Sequence, residues 1–157
     1  MLRSLALIAA FLAASHPTCA GDLDELDKVG RQIAARPCPR PLLTAKAEKN
    51  IHDETIKDRY ITQKCPKAES EIFRSSASQY KKVIPLFASL SRTDSRVPSA
   101  FQIGASLSRI KSRLGTPEVE KADSITYLLP SDTREEMVTF FHDGTRVVST
   151  QWSWYVD

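Results

Sequence analysis

Residues 106–117 constrain this chain more than any other stretch, because both ends of a helix are written into them. The Ser106 hydroxyl can accept from a first-turn N–H, Leu107, Ile110 and Leu114 recur at helical spacing, and Gly115 with Pro117 close behind ends the run. Beyond Pro117 the apolar period shortens from that of a helix to that of a strand. Residues 125–129, 137–141 and 146–156 read as three strands, with Asp143-Gly144 as a type I′ turn between the last two. The expectation for residues 101–157 is a short helix packed on a three-stranded antiparallel meander.

Residues 1–20 read as an export signal that is not part of the fold. Arg3 gives a positive start, residues 5–14 are apolar, and Thr18 and Ala20 are the small residues of a cleavage site before Gly21. The apolar run is too short to span a bilayer, which takes roughly 20 residues, so the cleaved chain is expected to be periplasmic or secreted and not transmembrane. Cys19 follows His16-Pro17-Thr18, which is no lipobox, so lipid attachment there is disfavoured.

Loss of Cys19 leaves Cys38 and Cys65, an even pair bound for an oxidising compartment, and a disulfide between them is the expectation. Two cysteines do not complete a zinc site, and no metal or cofactor is expected. With Arg3 removed, 21 of the 22 basic residues remain against the 19 acidic ones, which gives no footing for nucleic acid. Basic residues gather between Arg74 and Arg113, and acidic ones dominate from Glu118 onward. Adjacent in space, the two stretches would screen each other. Exposed, the basic one would suit anionic lipid headgroups or an acidic protein.

The N-terminal part reads as helical over residues 21–65. Asp22-x-x-Glu25 precedes Leu23, Leu26, Val29 and Ile33, Pro37 stops the run, and 38–41 is a stiff connector. Residues 44–62 are rich in charge with Ile51, Ile56 and Tyr60 as sparse apolar points, a pattern read as one or two further helices. Ile72-Phe73, Val83-Ile84 and Leu86-Phe87 are β-type clusters, with Pro85 marking an edge or a bulge. No internal repeat is visible. The expected fold class is α+β, one domain over 21–157: N-terminal helices, then an antiparallel sheet ending in the meander on its helix.

Catalytic groups are scarce. No G-x-G-x-x-G or P-loop pattern occurs, and only His52 and His142 survive removal of the signal. His52-Asp53-Glu54 are consecutive, so on a helix they diverge by about 100° per residue. Glu135 and Glu136 alternate across a strand, and Ser106 reads as a helix cap. The chain is expected not to be an enzyme.

A two-residue turn at Asp143-Gly144 would set Phe140 opposite Val147 and sort the hairpin into two faces. Met137, Thr139, Phe141, Val148, Thr150, Trp152, Trp154 and Val156 would share one, packed on the helix stripe. The tryptophans there would be core, or else a ligand platform. Val138, Phe140, Val147, Ser149, Gln151, Ser153 and Tyr155 would share the other, a mixture suited to binding another protein unless the N-terminal helices cover it.

Ile103-Gly104-x-Ser106-x-x-x-Ile110-x-x-x-Leu114-Gly115-x-Pro117, followed by Tyr127, Phe140-Phe141 and Gly144-x-x-Val147, resembles the SmpA/OmlA-like domain. That domain is found in a small lipoprotein of outer-membrane assembly and is similar in architecture to β-lactamase inhibitory proteins. The resemblance covers residues 101–157 and implies a non-enzymatic protein-binding module of the bacterial envelope. An inhibitor or immunity protein against a secreted enzyme or toxin is the alternative it leaves open.

Overall fold

A computed structural model describes residues 20–50, 53–76, 83–131 and 135–154. Residues 1–19 of the expected signal at 1–20, His52 and Tyr155 lie outside them. Helix α1 (Ala20–Ala35) leads into strands β1 (Leu42–Lys49), β2 (Lys57–Cys65), β3 (Ala68–Arg74) and β4 (Val83–Leu90). Helix α2 (Leu107–Leu114) then leads into β5 (Val119–Glu120), β6 (Ser124–Leu128), β7 (Met137–His142) and β8 (Val147–Ser153). All eight strands form one antiparallel sheet in the order β1-β2-β3-β4-β8-β7-β6-β5.

This overturns the expected fold class of N-terminal helices followed by a sheet. Among the described residues of that segment only α1 is helical, and Leu42–Lys49 and Lys57–Cys65 pair as a β-hairpin. The reason is positional. β1 is an edge strand, exposed on both faces, so its Lys and Glu residues need no apolar alternation, and charge alone imitated a solvated helix. The tip is built by side chains: Asn50 Oδ1 accepts from Asp53 N at 3.0 Å, and Asp53 Oδ1 from Thr55 N at 2.9 Å.

The element order also reads the same from either edge. A helix followed by four meandering strands occurs twice, and the two units meet through their last strands, β4 and β8. β4 is therefore central, and Pro85 sits where the β3–β4 register shifts, opposite Ile72. The expected meander β6-β7-β8 is present, with β5 added at its outer edge.

Both helices lie on one face of the sheet. Leu26, Val29 and Ile33 of α1 join Ile110 and Leu114 of α2 in a core with Phe101, Ile125, Tyr127, Val138, Phe140, Val147 and Trp152. Polar burial is matched by partners: Gln63 Nε2 and Ser70 Oγ both donate to Ala34 O, at 2.7 and 2.9 Å, satisfying a carbonyl at the C-terminal end of α1. Arg96 Nη1 donates to Arg36 O at 2.9 Å, just beyond the same helix end. The Cys38–Cys65 disulfide forms, with the Cα atoms 6.2 Å apart, and ties the α1–β1 connector to the end of β2.

Around α2 the local signals are met. Ser106 Oγ accepts from Arg109 N at 3.4 Å, and Gly115 at the C-cap has φ 80° and donates to Lys111 O.

Candidate functional site

The register of the β7–β8 hairpin decides which side chains reach the surface. Asp143 does more than begin a two-residue turn. Its Oδ1 accepts from Arg146 N at 2.8 Å, Thr145 N at 2.9 Å and Thr145 Oγ1 at 3.0 Å, organising a longer loop. These donors hold the exposed carboxyl down to about 2, the Arg146 N–H contributing most. The ladder opens at His142↔Val147, shifts between Phe141 and His142, and continues as Phe141↔Ser149, Phe140↔Thr150, Thr139↔Gln151, Val138↔Trp152 and Met137↔Ser153.

The expected pairing of Phe140 with Val147 is therefore displaced by an odd number of positions, which swaps the faces of β8 relative to β7. Trp152 shares a face with Val138 and Phe140 against the helices. Its Nε1 donates to Leu26 O at 3.0 Å, while Trp154 Nε1 donates to Asp27 Oδ1 at 2.8 Å and stacks under Arg31. Arg31 in turn pairs with Asp27 and Glu136. Both tryptophans are buried, and they are core against α1, not the α2 stripe and not a platform.

The seven residues expected on one binding face are thus divided. Val138, Phe140 and Val147 are within 1 % of fully buried and belong to the core. Ser149, Gln151 and Ser153 are half-buried and lie on the opposite face, and Tyr155 lies outside the described residues.

That opposite face is the candidate site, since no helix covers it among the described residues. Its centre is hydroxyl and amide: Ser149, Gln151 and Ser153 on β8, Thr139 on β7, Ser89 on β4 opposite Gln151. Thr139 and Thr126 hydroxyls lie 3.0 Å apart. Apolar side chains frame this strip: Phe141 and Met137 on one side, Phe87 on the other, then Phe73 edge-on to Tyr60 with centroids 5.3 Å apart. Further toward β1, Lys64–Glu69 and Lys46–Glu48 are ion pairs at 3.5 and 2.5 Å. There the surface dips into a depression of about 440 Å³ beside Thr44, Lys46, Tyr60, Thr62 and Glu71.

Sequence reasoning missed the β2, β3 and β4 share of this face. Glu69, Glu71 and Phe73 do alternate with buried Ala68, Ser70 and Ile72, and that period of two was the available signal.

Elsewhere, side chains with catalytic chemistry are used structurally. Ser106 caps α2, His142 Nδ1 accepts from Gly144 N at 3.1 Å, and Glu136 holds Arg31. Three members of the basic stretch are ion-paired among the described residues: Arg96 with Asp94, Lys111 with Glu120, as mutual screening requires, and Arg113 with Asp22 of α1. Among the described residues no group of three or more His, Cys, Asp or Glu is placed to hold a metal ion, and no helix is long and apolar enough to cross a membrane. No family model, no curated protein and no solved structure matches the chain.

Proposed function

We propose that this is an exported, non-enzymatic protein of the bacterial envelope that binds another protein through the helix-free face of its sheet. The observation that carries the reading is the division of labour between faces. One takes both helices and both tryptophans. The other presents a half-buried strip of Ser149, Gln151, Ser153, Thr139 and Ser89 framed by Phe87, Phe141 and Met137. Hydroxyls and amides hydrogen-bond water when the face is free, and the aromatic frame supplies contact area when it is covered. The disulfide fits an oxidising compartment, in keeping with a signal peptide over residues 1–20. The resemblance of residues 103–117 to the SmpA/OmlA-like helix signature supports the same class of role.

Affinity capture from periplasmic extract, comparing the wild type with Gln151→Arg and Ser153→Arg, tests the proposal. The expected result is a protein retained by the wild type and lost from both variants, with denaturation midpoints unchanged. Retention by the variants would move the binding surface elsewhere.

A further inference from the structure

The two edges of the sheet are finished differently. At one end β5 is only 2 residues long, whereas at the other β1 runs 8 residues and pairs with β2 throughout without a register shift. Natural edges are usually kept short, bulged or charged to prevent further pairing, and β1 is neither short nor bulged. Its first residues, Leu42 and Leu43, are 68 % and 58 % exposed.

The ladder tells which backbone groups of β1 are free for pairing. Asn50 N donates to Ile56 O at 3.0 Å, in line with the β1–β2 register. Bonding alternates along an antiparallel strand, so Leu42, Thr44, Lys46 and Glu48 turn their N–H and C=O toward β2. Leu43, Ala45, Ala47 and Lys49 turn theirs outward, where no strand lies among the described residues.

We infer that β1 is a self-association edge, taking β1 of a second copy antiparallel across a two-fold axis at Ala47. Hydrogen-bonded pairs must join outward-facing residues of both strands, which leaves few registers. Centring on Lys46 sets that lysine opposite its own copy. Centring on Ala47 sets Lys46 opposite Glu48 of the second copy, twice, at the positions where side chains approach most closely. Lys46 and Glu48 already pair along one strand face, so the interface becomes a closed ring of alternating charge. On the other sheet face Ala47 meets its own copy, and alanine leaves the strands free to approach. A lone central lysine would repel a second copy, but this one brings its counterion with it.

Sedimentation equilibrium of the oxidised protein tests this. The expected result is a reversible dimer that Lys46→Glu or Glu48→Lys each weakens by about tenfold or more. The double exchange Lys46→Glu/Glu48→Lys restores it. Ala47→Pro, which removes an outward N–H and none of those facing β2, abolishes the dimer with the monomer still folded by circular dichroism. Amide exchange at Ala45, Ala47 and Lys49 slows with rising protein concentration. A monomer at all accessible concentrations overturns the inference. So does a dimer indifferent to these substitutions, which would assemble through another surface.

Discussion

Gly30 of α1 and Trp152 of β8 share one space: a Cβ on Gly30 would lie 2.5 Å from Trp152 Cδ1 and 2.7 Å from its Nε1. The indole is pinned by its bond to Leu26 O and is fully buried, so it cannot swing aside. Alanine ordinarily gains about 1 kcal/mol over glycine inside a helix, but overpacking a core costs about 1–3 kcal/mol, and here the clash is with a fixed ring. Gly30→Ala should therefore lower the thermal midpoint, whereas Gly21→Ala, with open space around it, should hold or raise it. Paired thermal melts decide the sign.

Gly115 ends α2 at φ 80° and ψ −149°, outside the left-handed helical well that asparagine tolerates. Replacement by any L-residue should cost on the order of 1–3 kcal/mol. Asn should do no better than Ala, which chemical denaturation of the two variants would show. A marked advantage for Asn would mean that the cap relaxes to the ordinary left-handed geometry.

The depressed Asp143 carboxyl, at about 2 in the folded chain, binds fewer protons there than when unfolded. Its contribution is complete above the unfolded value near pH 4 and is lost as pH falls through about 2. Asp143→Asn keeps an acceptor oxygen without the titration. Its denaturation midpoint should fall less steeply than the wild type's across that window, while the two profiles run parallel above about pH 5.

The disulfide closes a loop spanning a sequence separation of 27. In the chain-entropy treatment such a loop restrains the unfolded chain by ~3.5 kcal/mol. Cys38→Ser/Cys65→Ser should lower stability by roughly that amount in urea titrations, with the denaturant slope changing because the unfolded state expands.

Legibility in the sequence tracked local signals. α1 and α2 could be read because each buries one stripe, and Ser106 and Gly115 bracket the second. β6, β7 and β8 could be read because each alternates between a buried and a half-buried face. β1 could not, since an edge strand wet on both sides has no alternation to show. The candidate face depended on the parity of a single loop. Asp143 lengthens the turn, and an odd displacement sent Val138 and Phe140 inward with Trp152 while Ser149, Gln151 and Ser153 stayed outside. The paired helix-and-meander units were invisible for another reason: a repeated order of elements needs no repeated residues.

The joining of the two units through β4 and β8 also sets a schedule. The indole that seats α1 is separated from its Leu26 partner by 126 residues, and β4 gains its second neighbour only when β8 arrives. A chain threading through a membrane from its N-terminus would deliver α1 first and Trp152 nearly last. Until then the first helix rests on β3 and β4 without the Trp152 indole, and the contacts that close the core are among the most distant in sequence, the kind that form slowly. In the proposed export, the Trp152 contact with α1 would form only once the far end of the chain is across.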